Sequence, residues 1–167
     1  MISLISGGLL FIASLYLGVG IRAYHRTRKR FYEELLTFNR ILGEEISYLK
    51  TPVKQIVKDF ITDKKGELSV MLAKFLDVME TEVIYTADKI AQDIKTPYVT
   101  KEECRLIGEY FCALGKSDAA TQMLTIKHYG IKFEEIFKKA REEAQTTGEL
   151  AYKLGILIGI GLMIIVA

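Results

Sequence analysis

The sequence predicts an all-α protein: a cytoplasmic helical bundle of about five to six helices between an N-terminal and a C-terminal transmembrane helix. Three observations carry this. Apolar residues recur at spacings of three and four along most of the 167 residues, the period of a helix with one buried face. No stretch alternates with period two between turn residues, as a half-buried strand would. Both ends are apolar and almost free of charge. The boundaries read as 1–22 for the first membrane helix, 23–150 for the bundle and 151–167 for the second membrane helix.

Ile2 to Ile21 is a run of twenty uncharged residues. At about 1.5 Å per residue a helix of that length spans roughly 30 Å, the hydrocarbon core of a bilayer. Arg22, Arg26, Arg28, Lys29 and Arg30 follow at once. A secretory signal carries its charge before the apolar run and a cleavage site after it. This order predicts an uncleaved anchor, and the positive-inside rule puts residue 22 onward in the cytoplasm. Nothing breaks the run into Phe31, so the membrane helix is expected to continue as one rod.

From Phe31 one apolar stripe runs through Leu35, Phe38, Leu42, Ile46 and Leu49. It is expected to stop near Lys50, with Thr51 as N-cap and Pro52 at the first position of the next helix. That helix turns Val53, Ile56, Val57 and Phe60 inward. Asp63-Lys64-Lys65-Gly66 is a turn by composition. A single long helix is then expected, with Leu68, Leu72, Phe75, Met79, Val83, Ala87, Ile90 and Ile94 on one face. It ends at Thr96-Pro97, because the residue before Pro is pushed out of the α region.

Thr100-Lys101-Glu102-Glu103 spells a capping box. The helix it opens carries Cys104, Ile107, Phe111 and Leu114 and ends at Gly115. Ser117-Asp118 opens a long helix through Leu124, Ile131, Phe133, Phe137 and Ala140 to about Ala144, with Gly130 a weak point. From Leu154 the chain is uncharged to Ala167. Counted from Ala151, with Lys153 snorkelling to the cytoplasmic interface, the run reaches the lower limit of a span. Gly155 and Gly159 form a G-x-x-x-G face that permits close helix approach in lipid, and Ser14 and Gly18 offer small residues to it.

The formal net charge of +2 conceals an asymmetry. Five of the 23 Arg and Lys lie in residues 22–30, which leaves 18 against 21 Asp and Glu, or −3, in the rest. The positive excess is juxtamembrane. It suits a lipid bilayer with anionic headgroups and not nucleic acid, which calls for a basic stripe on the folded part. Cys104 and Cys112 are the two cysteines. Eight residues apart on one helix they stand about 12 Å apart, too far for a disulfide, as suits a reducing compartment.

Candidate chemistry is sparse. Gly115-Lys116-Ser117 resembles the tail of a phosphate loop, but Tyr110 occupies the position of the loop's first Gly and a helix precedes it. His25 and His128 stand far from each other and from any Cys cluster. The acidic pairs Glu44-Glu45, Glu102-Glu103, Glu134-Glu135 and Glu142-Glu143 are helix neighbours pointing about 100° apart, so each pair reads as a solvated face. No nucleophile–base–orienter set can be assembled. The reading is of a protein that is not an enzyme, with no cofactor, no metal and no small-molecule substrate. Glu45 borders the apolar stripe one turn from Tyr48. Two roles stay open for it: a structural hydrogen bond at the bundle edge, or a partner contact.

Glu45-Ile46-Ser47-Tyr48-Leu49-Lys50-Thr51-Pro52 resembles the E-I-x-Y-x-x-T-P signature of the stage III sporulation protein AB family. Phe111-Cys112-Ala113-Leu114-Gly115-Lys116-Ser117-Asp118 with Gln122 resembles its F-x-x-L-G-x-S-D-x-x-x-Q, and Lys153 to Gly159 its closing L-G-x-L-x-G. The likeness covers the whole chain. It departs at Val53, where that family usually carries Leu.

The resemblance implies an endospore former and a place in the mother-cell membrane facing the forespore. It implies a channel-like complex of stage III sporulation proteins linking the two compartments. It also implies a cytoplasmic domain similar to the inner-membrane platform proteins of type II secretion and type IV pilus systems. The corresponding partner is the stage III sporulation protein AA ATPase. Glu45, Tyr48, Thr51, Pro52, Asp118 and Gln122 are then the candidate contact or motif residues. The competing expectation is a membrane-anchored helical adaptor or regulator unrelated to secretion.

Overall fold

The structure is a computed structural model that describes residues 2–81, 86–115 and 118–166. Most of these residues are helical, and no strand occurs among them. Helix α1 runs Ile2–Glu44 and passes into a π-helical turn, Glu45–Leu49. Then come α2 (Val53–Asp63), α3 (Glu67–Thr81), α4 (Ala87–Asp93), α5 (Lys101–Ala113), α6 (Ala119–Gln145) and α7 (Thr147–Val166). Two helical stretches, one near each end of the chain, are long and apolar enough to cross a membrane. The chain divides into two compact units: residues 30–137, and residues 1–29 with 138–167.

The unit 30–137 is a bundle around an aromatic core. Phe31, Tyr32, Leu35, Phe38, Leu42 and Ile46 are all buried along α1 and its π turn. Phe38 meets Phe60 of α2 edge-on at 5.2 Å and Phe111 of α5 at 6.5 Å. Phe75 of α3 stacks on Phe111 at 4.5 Å. Tyr110 meets Phe133 of α6 edge-on at 5.2 Å. Each of these rings contributes about 1.5–3 kcal/mol by leaving water, and together they tie five helices to one centre. Asn39 crosses this core: its Nδ2 donates to the Ile126 carbonyl on α6 at 3.2 Å, and its Oδ1 accepts from the Tyr110 hydroxyl at 2.7 Å. Gly130 makes room for it, since a Cβ there would stand 2.8 Å from Asn39 Nδ2.

Several local expectations hold. Val53, Ile56, Val57 and Phe60 are buried on α2. Thr100 and Glu103 form the capping box, with Thr100 N–H donating to Glu103 Oε2 at 2.8 Å and Glu103 N–H to Thr100 Oγ1 at 3.3 Å. Gly115 follows α5 at φ +75°, a left-handed value that favours glycine.

Others are corrected. The long helix expected from Leu68 to Ile94 is described as two pieces. Thr86 is extended, and its hydroxyl accepts from Lys89 N–H, so it caps α4 and gives the backbone an alternative to continuing as helix. Val83, placed on that helix, lies outside the described residues. Pro52 and not Thr51 occupies the N-cap of α2, because the Thr51 hydroxyl is turned back toward Glu45. Leu49 leaves the α1 stripe and is 69% exposed. Leu124 and Ile131 are exposed too, while Ile126, Phe133 and Ala140 form the buried line of α6. Gly130 does not break α6.

The other unit holds the apolar part of α1 and α7. Gly18 is buried, and a Cβ added to it would stand 2.9 Å from the Ala151 carbonyl oxygen. A Cβ on Gly155 would meet the Ser14 carbonyl oxygen at 3.0 Å, and one on Gly159 would meet the Phe11 ring at 2.7 Å. Ser14 Oγ donates to the Gly155 carbonyl at 2.7 Å. Small residues thus bring two backbones into direct contact, the packing that substitutes for hydrophobic drive in lipid.

Candidate functional site

The π turn is the most unusual backbone in the bundle. Its i→i+5 path holds one residue more than an α turn would. Glu45 closes it with both its carbonyl and its carboxylate. The Glu45 carbonyl accepts from Lys50 N–H, and from Thr51 N–H at 3.4 Å. The carboxylate Oε2 accepts from the Thr51 hydroxyl at 2.7 Å. Lys50 sits at φ 54°, ψ 31°. That left-handed conformation costs a residue with a Cβ roughly 1–2 kcal/mol. Glu45 is thus engaged within the chain. The pairing is with Thr51, where proximity in sequence had suggested Tyr48. Tyr48 is 84% exposed and, with Leu49, projects from the turn into solvent. Ile46 alone of these five stays buried.

The two motif segments, far apart in sequence, meet beside this turn. Ile46, Lys50, Thr51, Pro52 and Val53 line a cleft of about 440 Å³ together with Met79, Gly115, Ala119 and Gln122. Asp118 stands at the start of α6. Its carboxylate accepts from Ala120 N–H at 3.2 Å and the Thr121 hydroxyl at 2.6 Å, and its carbonyl accepts from Gln122 N–H at 2.9 Å. The Thr121 hydroxyl holds the Asp118 carboxyl below the usual carboxylate range. Asp118 therefore serves the helix as its cap, as an acid at a helix N-terminus should. Gln122 faces the cleft, while Thr51 and Pro52 line it. Lys116 and Ser117, of the phosphate-loop resemblance, lie outside the described residues.

Around the cleft the charges are uneven. Lys54 and Lys58 both reach Glu80 Oε1, each at 3.1 Å. Their hydrogen bonds and charges hold the Glu80 carboxyl below its ordinary value. One acid thus serves two bases, and Lys50 is exposed nearby. In the sequence Leu49 reads as the last residue of the apolar stripe and Lys50 as the stop of the helix, so neither is marked there as contact surface. Among the described residues, no group of three or more His, Cys, Asp or Glu could hold a metal. Burial raises the Cys104 thiol above its ordinary value, which favours the protonated form. The chemistry gathered at the cleft is that of contact: exposed apolar side chains, lysines and an amide.

The residues read as membrane-orienting fall in both units. Arg28 is 7% exposed, and its Nε stands 3.4 Å from Glu143 Oε2. His25 Nδ1 is 3.6 Å from the same oxygen. Arg22 lies over the Tyr152 ring at 4.7 Å. Arg26 and Lys153 are exposed and Lys29 is half-buried. Arg30, in the bundle unit, pairs with Glu34 at 3.0 Å. Part of the basic run therefore meets protein groups of its own unit.

No curated protein and no solved structure matches the chain. One family model does, that of stage III sporulation protein AB, and it matches residues 3–167, so that both motif segments, the cleft they line and both apolar helices fall within the matched region. The chain belongs to the stage III sporulation protein AB family.

Proposed function

We propose that this protein is a membrane-embedded platform of a secretion-like channel complex between mother cell and forespore, and that its bundle docks a cytoplasmic secretion ATPase. The ATPase is the stage III sporulation protein AA ATPase, and other stage III sporulation channel proteins are neighbours in the complex. The observation that carries this reading is the convergence of the two motif segments on one cleft beside an exposed Tyr-Leu pair. A bundle that shapes contact surface in this way, on a chain with two stretches able to cross a bilayer, is built to hold another protein at a membrane.

The charge pattern supports the orientation. The basic run follows the first apolar stretch, and Lys153 precedes the second. By the positive-inside rule both flanks favour a cytoplasmic side for residues 23–150. The membrane is that of the mother cell, facing the forespore.

The test is direct. The full-length chain in nanodiscs is titrated with the purified ATPase, and saturable binding is expected. Absence of binding at tens of micromolar sinks the docking role. Deleting the gene is expected to halt forespore development after engulfment. A vegetative defect instead would favour an adaptor unrelated to secretion.

A further inference from the structure

We propose that the seam between the apolar part of α1 and α7 binds one anionic phospholipid, with an acyl chain in a groove of the seam and the phosphate at Arg22 and Lys153. The inference rests on the two helices spanning a bilayer and not on the ATPase.

The groove has the depth of a single leaflet. Its volume is about 510 Å³, and it is lined by Leu10, Leu17 and Ile21 from α1 and by Ala151, Leu154 and Ile158 from α7. The lining runs from residue 10 to residue 21 on one helix and from 151 to 162 on the other. At about 1.5 Å per residue either stretch covers roughly 17 Å, about half of a 30 Å hydrocarbon core. Ile21 and Ala151 mark the end at which the basic run begins, so the groove lies in the cytoplasmic leaflet. A partner's membrane helix, or a second copy of this chain, would call for the full thickness; an acyl chain fills one leaflet. Helices in lipid are also joined by hydrogen bonds between polar side chains and backbone. The Ser14 hydroxyl, on the groove wall, already donates to the Gly155 carbonyl at 2.7 Å.

Charge names the headgroup. Residues 1–29 and 138–167 form this unit, and they carry eight Arg and Lys against three Asp and Glu, or +5 with every acid counted as ionised. Two of the bases adjoin groove residues at the cytoplasmic end: Arg22 follows Ile21, and Lys153 precedes Leu154. The Arg22 guanidinium is held over the Tyr152 ring at 4.7 Å, and its buried Nε has no hydrogen-bond partner among the described residues. Lys153 is exposed. Of the three acids, Glu143 lies against Arg28. A guanidinium oriented by a ring presents paired donors to a phosphate, and an ammonium beside it adds a point charge. A zwitterionic headgroup brings its own cation to this end and gains less.

The full-length chain in dodecyl maltoside micelles is titrated with phosphatidylglycerol, phosphatidylcholine or inorganic phosphate, and retained lipids are counted by native mass spectrometry. One phosphatidylglycerol per chain is expected, held about tenfold more tightly than phosphatidylcholine and not displaced by inorganic phosphate. Arg22→Gln with Lys153→Gln is expected to erase the preference between the two lipids. Ala13→Phe fills the groove and is expected to lose both. Val19→Phe, on an exposed part of α1 outside the groove lining, is expected to behave as wild type. Equal binding of the two lipids by wild type, displacement by inorganic phosphate, or an Ala13→Phe chain that binds like Val19→Phe overturns the proposal.

A second measurement uses the wild-type chain alone, so that no variant's folding enters it. The chain is illuminated in micelles with a phosphatidylglycerol that carries a photoreactive acyl chain. Adducts concentrated at Leu17, Leu154 and Ile158 uphold the groove. Adducts spread evenly around both helices, with Val19 and Ile160 labelled as strongly, overturn it.

Discussion

The Tyr110 hydroxyl donates to Asn39 Oδ1 at 2.7 Å, across 71 residues of chain and wholly inside the bundle. Burial pushes the Tyr110 phenol up from its ordinary value of 10.0, so the neutral donor is favoured. A group whose ionisation is raised by folding lends stability that is fully present below its unfolded value and is lost as pH climbs beyond it. Tyr110→Phe is expected to cost about 1–3 kcal/mol, because Asn39 Oδ1 is left buried without its donor. Denaturant unfolding measures this. The variant is also expected to show a flatter loss of stability above pH 10 than wild type. An identical alkaline limb would mean that Tyr110 does not govern it.

Gly130→Ala offers a sign test. In an exposed helix the change gains about 1 kcal/mol. Here the new Cβ would stand 2.8 Å from Asn39 Nδ2, which is bonded to the Ile126 carbonyl. The substitution is expected to lose stability in the wild-type background and to gain it in Asn39→Ala. Equal effects in the two backgrounds would rule out the coupling.

Thr51→Val removes the hydroxyl that holds the Glu45 carboxylate. About 1 kcal/mol of stability is expected to go, and amide exchange at Ser47 to Lys50 is expected to quicken more than exchange on α2. Lys50→Gly relieves the left-handed backbone and is expected to gain about 1 kcal/mol. If glycine destabilises, then the strain at Lys50 is not what the geometry implies.

At the apolar helix pair, Gly18→Ile and Gly155→Ile drive a branched side chain into facing backbone, which cannot rotate aside. Each is expected to cost about 1–3 kcal/mol by overpacking, read as a lower thermal midpoint in detergent. Ala at Ser14 removes one hydrogen bond and is expected to cost less. Unchanged midpoints for both isoleucines would show that the two helices do not pack through these glycines.

Glu143→Ala tests the electrostatics of the same unit. Arg28 is nearly buried and would lose one of its partners, while Glu143 is 43% exposed and is partly solvated already. An intermediate loss of about 1–2 kcal/mol is expected. A loss below a few tenths would show that Arg28 is held by its other contacts.

Much of this fold is legible from residue spacing. The stripe from Phe31 to Ile46, the four inward residues of α2 and the capping box at Thr100 all follow from rules that act within one or two turns. The break before α4 was hidden because the apolar line Leu68 to Ile94 keeps its period across it. Thr86 looks like an ordinary polar residue until its hydroxyl is seen on Lys89 N–H. The π turn was hidden for a similar reason. One added residue leaves Ile46 in phase and displaces Leu49 alone, which a period of three or four absorbs. The Asn39–Tyr110 bond joins positions with no local signature, and only the packed bundle brings them together. As for the candidate site, its motif residues were readable as a set, but not their division of labour. Glu45, Thr51 and Asp118 shape the backbone, whereas Tyr48 and Leu49 meet solvent.

The π turn also makes its own geometry a property of chain length as much as of residue type. Alanine at Ser47, an exposed position, leaves the five-residue path intact and is expected to be silent. Deleting Ser47, whose side chain is the one surface group lost, shortens the path to that of an ordinary α turn, relieves the π geometry and leaves Leu49 two residues after Ile46, still off the buried line. A scan of substitutions would pass over this position; a scan of single-residue deletions would stop at it.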